Sequence, residues 1–380
     1  MRQIDAATRE LQRALAAGEL VGGVHLVVQN GKTIHLEAAG MRDREQKKPF
    51  TPDTLVRMYS MTKPITSVAA MMLWEKGKFQ LDDPLAKYIP AFGRVTVLEG
   101  KGAAQKRVPP RRPLTVRDLF RHTSGYSYGD GDLAVGAAFF KEGLLYRPPI
   151  GMQPPKMTIE KAAEALARVP LLHHPGERFT YGMSVDILGR LIEIWSGKTL
   201  DVYFQKAVLG PLGMRDTAFS VPKNKRDRFA SCYTGQDGKL ALADGAATSP
   251  YNDGFEFLGG GSGLVSTILD YAKFCQMVVD GGRFKRGRLL KEETLKRMFT
   301  DQLNGAGGAF RFGLGFALED VTIGSGLRAR KALQGSWAGY ASTDFNIVPS
   351  ERLFHIFLQQ RVPSAQGLGH RLATMVYQER

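Results

Sequence analysis

One stretch organises this chain: Tyr59-Ser60-Met61-Thr62-Lys63-Pro64, followed by the apolar run 65–77. Apolar residues at 65, 68, 69, 72 and 73 predict a helix with one buried face, which Gly77 would end. Ser60 and Lys63 then lie at the start of that helix, three residues apart and on the same face, so that an amine lies beside a hydroxyl. The free amides of the first turn favour negative charge there. This arrangement is typical of an activated serine nucleophile.

The length and amino-acid composition of the chain indicate a globular enzyme. The chain has 380 residues, 43% of them hydrophobic and 23% charged. No window approaches the roughly 18 uninterrupted apolar residues that a membrane span needs, and the charged N-terminus lacks the apolar core of a signal peptide. We therefore expect no membrane span and, if Met1 is the native start, a cytoplasmic location. Cys232 and Cys275 have no metal-ligand spacing, which predicts reduced structural thiols.

The net charge of +15 is the one unusual total. A basic balance can indicate nucleic-acid or anionic-membrane contact. Here the basic residues are spread along the chain, and the densest groups, 101–112 and 285–297, do not interleave the aromatic residues of a base-stacking surface. We expect a solvated basic surface and no nucleic-acid partner. An acidic partner, or attraction of anionic substrates, stays open as the alternative.

The two ends of the chain predict one sheet. Residues 3–17 read as a helix, and Asn30-Gly31 predicts a hairpin between strands 23–29 and 33–38. Near the other end, strands are predicted at 312–318, 329–335, 341–348 and 353–360, before a closing helix at 369–378. We expect an α/β protein of the α+β type, in which both termini build one antiparallel sheet. The lobes would be about 1–55 with 305–380, and about 56–304, within a single catalytic unit.

The middle of the chain reads as mainly helical. The loop 126–157 is rich in Gly, Pro and Tyr, which predicts a functional loop such as a lid. Gly259-Gly260-Gly261-Ser262-Gly263 lacks phosphate-binding spacings, so close backbone packing near the active site is expected there. Beyond the Ser60 helix, the periodicity predicts helices at 114–122, 158–168, 184–196 and 266–279.

Further motifs follow Ser60-Met61-Thr62-Lys63 in order. They are the segment Leu114-Thr115-Val116-Arg117-Asp118-Leu119, His122-Thr123-Ser124-Gly125, Tyr181 before an Asp-Ile-Leu-Gly helix, Gly261-Ser262-Gly263-Leu264-Val265-Ser266-Thr267, and Trp337-Ala338-Gly339. Over essentially its whole length, the chain resembles the class C β-lactamase-like serine hydrolases, and among them the family VIII carboxylesterases. The resemblance implies a β-lactamase/penicillin-binding-protein-like fold, with an antiparallel sheet flanked by terminal helices and a mainly helical lobe.

The resemblance also implies roles for residues. Ser60 would be the nucleophile, and Lys63 and Tyr181 would share the general-base role, since a nearby cation lowers the pKa of a phenol. The backbone N–H groups of Ser60 and Tyr340 would form the oxyanion hole. No metal or cofactor is implied. The predicted substrate contacts are Trp337, Ala338, Gly339, Met183 and Tyr126.

Two departures from the lactamase pattern affect the predicted pocket. The Tyr-x-Asn pattern reads Tyr181-Gly182-Met183, so an apolar thioether replaces the amide that would bind an acylamino group. Trp337 replaces the cationic lysine of Lys-Thr-Gly, so one attraction for a substrate carboxylate is missing. Both changes favour neutral, apolar esters over charged lactams and peptides, and leave room for weak β-lactam hydrolysis only.

Several other residues are candidates for a catalytic or metal-binding role. Gly125-Tyr126-Ser127-Tyr128-Gly129 fits the G-x-S-x-G pattern, but that elbow needs a strand before it and a helix directly after it. Neither is predicted around Ser127. We interpret His122 as a hydrogen-bonding residue at a helix end, and His173-His174 as a loop feature without zinc-site spacing. Asp186 lies in the first turn of its helix, where the dipole favours a carboxylate.

The sequence therefore predicts a serine carboxylesterase that hydrolyses short- to medium-chain esters through an acyl-enzyme on Ser60. Its expected partner is a small-molecule ester. An acyltransferase, or a D-amino peptidase or β-lactamase, on the same scaffold is the alternative within enzymes. Outside enzymes, the alternatives are a binding module for acyl or peptidoglycan-like ligands and a basic nucleic-acid binder.

Overall fold

A computed structural model describes residues 2–144, 154–236, 239–365 and 367–378 of the chain. Within these ranges there are eleven α-helices. They are α1 (Arg2–Ala16), α2 (Thr62–Glu75), α3 (Val116–Phe120), α4 (Leu133–Lys141), α5 (Ile159–Leu166), α6 (Ser184–Ser196), α7 (Leu200–Phe204), α8 (Gly210–Leu212), α9 (Ile268–Val279), α10 (Glu292–Met298) and α11 (Gly367–Gln378).

The same ranges contain seventeen strands, many of them short. They are β1 (Gly22–Gln29), β2 (Lys32–Asp43), β3 (Lys48–Pro49), β4 (Val56–Arg57), β5 (Val97–Glu99), β6 (Lys106–Val108), β7 (Cys232–Gln236), β8 (Lys239–Asp244), β9 (Val265–Ser266), β10 (Arg283–Phe284), β11 (Gly287–Arg288), β12 (Arg311–Phe312), β13 (Ala317–Ile323), β14 (Arg330–Gly339), β15 (Thr343–Val348), β16 (Leu353–Gln359) and β17 (Arg361–Val362).

The main sheet joins the two ends of the chain. Its eight strands lie in the order β12-β13-β14-β15-β16-β1-β2-β3, and every neighbouring pair is antiparallel. The N-terminal β1 pairs with the C-terminal β16, with Gly23 opposite Gln359 and Gln29 opposite Leu353. Both strands are buried on both faces, as their nearly continuous apolar sequences require. The predicted fold class is confirmed.

The two faces of this sheet are covered by different helices. On the inner face, side chains such as Leu26 and Ile356 join the largest apolar cluster together with α2, α6 and α9. On the outer face, Phe357 packs with Leu11 of α1 and Leu372 of α11. Because successive side chains of a strand point to opposite faces, each strand contributes to both layers.

The Ser60 helix lies inside the helical part of the molecule. All residues of α2 from Thr62 to Leu73 are buried, and α6 packs against it. Its last residue is Glu75, and Gly77 adopts a left-handed conformation just beyond the end, with φ of 68°. The predicted helices at 65–77 and 184–196 are therefore both present.

Two expectations about the fold were wrong. The loop predicted at 126–157 contains α4, whose first turn is capped by Asp132, an acceptor for the Ala134 N–H at 2.8 Å. Residues 145–153 of that predicted loop lie outside the described residues. The strand predicted at 312–318 is divided into β12 and β13, because Gly315 makes a turn with φ of 95°. The middle of the chain also contributes β7 and β8 to a three-stranded sheet with β17.

Among the helices that the structure describes, none combines the length and apolar character needed to cross a bilayer. The expected cytoplasmic location and the expected lack of a nucleic-acid partner stay predictions.

Candidate active site

Ser60 lies in a tight turn directly before α2. Tyr59, Ser60 and Met61 form a single turn of 3-10 helix. The backbone of Tyr59 has φ of 44°, a left-handed conformation that is unfavourable for a bulky residue and is found where the surrounding structure enforces it. Its buried ring packs edge-on against Tyr340 at 5.8 Å and Tyr251 at 6.4 Å. This packing fixes the turn that presents the half-buried Ser60.

Lys63 supplies a buried cation beside the serine. Its side chain is 1% exposed, and its Nζ donates to three oxygens: Ser60 Oγ at 3.1 Å, the Tyr128 hydroxyl at 2.9 Å and the Gly261 carbonyl at 2.7 Å. An ammonium has three donors, so each of them is used. Burying a cation is costly unless it is hydrogen-bonded, and these contacts meet that requirement.

Tyr181 contacts the other side of the serine hydroxyl. Its own hydroxyl donates to Ser60 Oγ at 2.5 Å, and Lys63 Nζ lies 4.7 Å from the centre of its ring. The loop before α6 can approach this closely because residue 182 is glycine: a β-carbon there would lie 2.4 Å from the Tyr126 carbonyl oxygen. Ser60 Oγ therefore has an ammonium and a phenol as neighbours within hydrogen-bonding distance.

The predicted substrate edge also lies against the Ser60 turn. Trp337 and Gly339 pair with β15, whereas the register between β14 and β13 stops at Ser336. A β-carbon at Gly339 would lie 2.5 Å from the carbonyl oxygen of Met58, so only glycine allows this approach of strand and turn. Tyr340 is the first residue after β14, at the end of this edge.

A wall of aromatic rings adjoins Tyr181 and Trp337, whose ring centres are 5.3 Å apart. His122 lies 4.9 Å from the Tyr181 ring and is fully buried, with φ of 55°. Neither of its ring nitrogens has a hydrogen-bond partner among the described residues. Burial, and to a smaller extent the charge of Lys63, lowers its pKa well below the usual value. The hydrogen-bonding role predicted for His122 was wrong: it is a neutral packing ring.

Asp186 is connected to Lys63 through the backbone of one residue, Gly261. The Gly261 N–H donates to Asp186 Oδ1 at 2.9 Å, while the Gly261 carbonyl accepts from Lys63. Burial raises the pKa of Asp186 to about 6, and the opposite charge of Lys63 limits that rise. A β-carbon at residue 261 would lie 2.6 Å from Asp186 Oδ2. Close backbone packing of the glycine-rich stretch beside the site is thus confirmed.

Two predicted substrate contacts are not at the cleft surface. Met183 is fully buried at the start of α6, and Tyr126 is 1% exposed, with its ring packed edge-on against Phe92. Both belong to the main apolar cluster. Their burial gives both side chains a packing role, and substrate contact by either has no support in this geometry. Ala338 points to the opposite face of β14 from Trp337, as the strand period requires.

The alternative residues have structural roles. Ser127 Oγ donates to the Asp130 carbonyl at 2.8 Å and accepts from the Gly129 N–H at 3.1 Å, within a turn that is neither strand nor helix. His173 bonds to the His174 carbonyl and to Thr180, both at 2.8 Å. No group of three metal-ligating side chains occurs in the described part of the chain.

Sequence reasoning did not include Tyr128 in the site, although this residue accepts a hydrogen bond from Lys63. The signal is the stretch Gly125-Tyr126-Ser127-Tyr128-Gly129, in which a tyrosine follows the serine of the G-x-S-x-G pattern. Taken together, the geometry places one hydroxyl between an ammonium and a phenol, beside an open strand edge. Once the lysine nitrogen or the tyrosine oxygen has lost its own proton, it can remove the proton of the serine hydroxyl and activate that oxygen as a nucleophile.

Comparison with known proteins supplies the family. The β-lactamase family model matches residues 7–376. The chain belongs to the β-lactamase family. Its relatives include Protein Rv1367c of Mycobacterium tuberculosis, 32% identical over 95% of this chain and 90% of that protein. Esterase EstB of Burkholderia gladioli is also 32% identical, over 61% of this chain and 55% of its own.

Among solved structures, EstCE1, described as a hydrolase with promiscuous acyltransferase activity, has a TM-score of 0.80 and 24% identity, with 99% of each chain covered. At this identity the likeness shows the fold. The resemblance drawn from the motifs is confirmed, and this β-lactamase-family chain has esterases and acyltransferases among its relatives.

Proposed function

We propose that this β-lactamase-family chain is a serine carboxylesterase that hydrolyses short- to medium-chain esters through an acyl-enzyme on Ser60. One observation carries the proposal: Ser60 Oγ lies 2.5 Å from the Tyr181 hydroxyl and 3.1 Å from Lys63 Nζ. A serine needs a base at this distance to become a nucleophile at neutral pH. The esterase EstB, 32% identical, supports esters as the substrate class.

The proposed reaction begins with proton transfer from Ser60. In the reactive state Tyr181 is a phenolate, held by the opposite charge of Lys63 over its ring. As Ser60 Oγ bonds to the ester carbonyl carbon, its proton passes to the Tyr181 oxygen. The same proton then protonates the leaving alkoxide, which departs as the alcohol. Water repeats these steps on the acyl-enzyme, which releases the acid and restores Ser60.

The backbone N–H groups of Ser60 and Tyr340 are the proposed oxyanion hole. Two observations support this assignment. Tyr59, which precedes Ser60, is held in its left-handed conformation, and its ring packs on that of Tyr340. Gly339 brings the end of β14 against the Met58 carbonyl, next to the same turn. Donors fixed by such packing need no reorganisation when negative charge develops on the carbonyl oxygen.

The walls of the site favour an apolar substrate. Trp337 and Tyr181 stand beside Phe312, whose ring lies edge-on to Trp337 at 5.2 Å. Trp337 occupies the position of the lactamase lysine, so the described strand edge carries no cation there. We therefore expect neutral esters to be turned over much faster than carboxylate-bearing β-lactams. Among the predicted substrate contacts, Trp337 and Gly339 remain in this proposal, and Ala338 contributes its backbone.

Acyl transfer is the second candidate. EstCE1, which shares the fold at a TM-score of 0.80, is described as a hydrolase with promiscuous acyltransferase activity. In the proposed mechanism an alcohol could replace water in the second half, because the same base would accept its proton. The two outcomes differ only in the acceptor of the acyl group.

The test compares three proteins: wild type, Ser60→Ala and the matched control Ser127→Ala. Each receives p-nitrophenyl esters from acetate to decanoate, a chromogenic cephalosporin, and one ester with added methanol. We expect Ser60→Ala alone to lose turnover, and an acyl adduct on Ser60 to appear by intact mass at early times. Loss of turnover in Ser127→Ala with activity retained in Ser60→Ala would overturn the assignment. An adduct that never hydrolyses would favour a binding module, and methyl ester formation would favour acyl transfer.

A further inference from the structure

A cavity lies on the outer face of the main sheet, and Ser60 is not among the residues that line it. It is a groove of about 980 Å³ between α11 and the strands β13, β14 and β15. Polar side chains on its sheet side include Gln334 and Asn346, and Tyr377 of α11 closes one side. Ala338 and Ala373 line it as well and give it apolar walls. The groove therefore offers apolar surface with a few convergent polar groups, as ligand sites usually do.

The charge of this groove opposes that of the whole protein. Of 380 residues, 52 are lysine or arginine, and the net charge is +15. The described lining nevertheless includes Glu319, Asp320 and Asp344 and contains no lysine or arginine. Asp320 pairs with Arg311 at 2.9 Å at the rim, and Glu319 accepts from Gln334 at 3.4 Å. The field of the groove therefore favours a cation.

Asp344 is the unusual member of the lining. The residue is only 7% exposed, and the Oδ1 atom of its carboxyl group has no hydrogen-bond partner among the described residues. The first turn of α11 leaves room for the carboxyl group: a β-carbon at Gly369 would lie 1.9 Å from Asp344 Oδ2. A buried carboxyl oxygen without a partner is costly, and native structures rarely keep one without a use.

We propose that this groove binds a small organic cation, an alkylammonium or alkylguanidinium, whose charged head pairs with the Asp344 carboxylate. The alkyl part would lie along Ala338 and Ala373. Such a head supplies the hydrogen-bond donors that Oδ1 lacks, and a charge-assisted bond in a partly dry site is strong. A bare metal ion fits less well, because metal sites need several convergent ligands and no such cluster occurs among the described side chains.

The neighbours of Asp344 are compatible with a bound cation. The other polar residues that line the groove with it include Glu319 from β13, Asn346 from its own strand, and His370 and Tyr377 from α11. Burial raises the pKa of Asp344 to about 8. At about pH 8.5 the carboxyl group is mostly ionised and an alkylammonium, with a pKa near that of lysine, is still charged. Binding is therefore best measured there.

The experiment is isothermal titration at about pH 8.5, where both partners are charged. The probes are n-butylammonium and n-butylguanidinium, with n-butanol as the uncharged match. The proteins are wild type, Asp344→Asn, the exposed control Asp201→Asn, and Thr374→Trp, which fills the groove and leaves Asp344 in place. Asn is close in shape to Asp and removes only the charge, so Asp344→Asn should fold, which circular dichroism checks.

We expect saturable one-to-one binding of both cations to wild type and to Asp201→Asn. Both cations should bind at least about tenfold more weakly to Asp344→Asn, which lacks the negative charge, and to Thr374→Trp, whose groove is filled. Wild type should bind n-butanol at least about tenfold more weakly than the cations, because n-butanol carries no positive charge. Equal binding of a cation to wild type and Asp344→Asn would overturn the proposal, and so would absence of saturable binding to wild type. Neither outcome depends on Ser60, so this proposal and the proposed function fail separately.

Discussion

Two groups of buried or half-buried polar side chains lie on opposite sides of the main sheet and differ in their hydrogen bonding. The Ser60 cluster, consisting of Ser60, Lys63, Tyr128 and Tyr181, is connected by hydrogen bonds of 2.5 to 3.1 Å. The outer-face cluster consists of His25, His35, His355 and Asp344. Each of its members has at least one buried polar atom without a partner among the described residues.

The lack of hydrogen-bond partners on the outer face affects the pKa values of the titratable groups there. On the outer face, burial lowers the pKa of His25 well below its usual range and that of His355 to about 3, and raises that of Asp344 to about 8. All three are thereby driven toward their neutral forms. Lys63 is equally buried, and its Nζ donates hydrogen bonds to three oxygens. We infer that changes in the Ser60 cluster should act on rate, and changes in the outer-face cluster on the pH dependence of stability.

The largest effect should come from Lys63→Met, which keeps length and removes the ammonium. Ester turnover should fall about 10³- to 10⁴-fold, since the variant loses both a donor to Ser60 and the charge that favours a Tyr181 phenolate. Steady-state kinetics on the best ester from the panel measure this. The matched control is Lys198→Met at an exposed position, which should keep wild-type turnover. A folded Lys63→Met with normal turnover would break the proposed link between hydrogen bonding and catalysis.

Tyr181→Phe should have the next largest effect. The substitution removes the hydroxyl that lies 2.5 Å from Ser60 Oγ and leaves the aromatic packing with Trp337 in place. We expect turnover to fall about 10²- to 10³-fold, the usual worth of a positioned proton acceptor. The thermal midpoint should hardly move. If turnover persisted, Lys63 alone would be the base, and the phenol would be a packing residue.

On the outer face, Asp344→Asn should change stability rather than rate. Because the pKa of Asp344 is higher in the folded state, its contribution to stability is fully present below about pH 4 and is lost as the pH rises toward about 8. Each pH unit in that window costs the wild type about 1.4 kcal/mol relative to the variant. Urea unfolding at pH 5 and pH 7 should therefore show a relative loss of about 2 to 3 kcal/mol.

The converse result, parallel stability curves for wild type and Asp344→Asn, would mean that the carboxyl group stays ionised in the folded state. The Asp344 carboxylate would then have partners that stabilise its charge, as the polar groups of the Ser60 cluster have, and the proposed difference between the two clusters would be wrong. Ester turnover of Asp344→Asn should equal that of wild type at pH 7, which separates the two faces in one variant.

His355→Gln should have a smaller effect of opposite sign. The Asn346 amide donates to His355 Nε2 at 2.9 Å, and a glutamine oxygen can accept that bond in turn. Since the pKa of His355 is lowered in the folded state, stability is present above about pH 6.5 and is lost as the pH falls toward about 3. Between pH 6 and pH 5 the wild type should lose about 1 kcal/mol relative to the variant. Equal acid sensitivity by urea unfolding would contradict this.

The Ser60 cluster could largely be predicted from the sequence, and the outer-face cluster could not. Local periodicity predicts the helices at 65–77 and 184–196, and the order of the motifs along the chain predicts that Ser60, Lys63 and Tyr181 share one site. These signals are local or depend on chain order, so one sequence is enough to detect them. The antiparallel sheet made from both termini followed from strand patterns at the two ends.

The outer-face cluster left no such signal. His25 and His355 are 330 positions apart and meet only because β1 pairs with β16, a register that no local pattern encodes. His122 was misjudged for a related reason: its neighbours Tyr181, Phe312 and Trp337 are distant in sequence, and together they bury both ring nitrogens. The helix α4 was missed because glycine at 136 and the turn residues before it obscured a short apolar run.

The smallest expected effect belongs to Ser127→Ala, and it tests whether a serine motif matters without its neighbours. Ser127 lies one residue from Tyr128, a member of the Ser60 cluster, yet its hydroxyl bonds only to backbone groups of Asp130 and Gly129 among the described residues. No cation or phenol contacts its oxygen there, so it lacks a base. Turnover should stay within about twofold of wild type, and loss of the turn bonds should cost about 1 kcal/mol of unfolding free energy. A strong loss of turnover would show that Ser127 takes part in the reaction. It would then be wrong that a serine is reactive here only where a cation and a phenol are hydrogen-bonded to it.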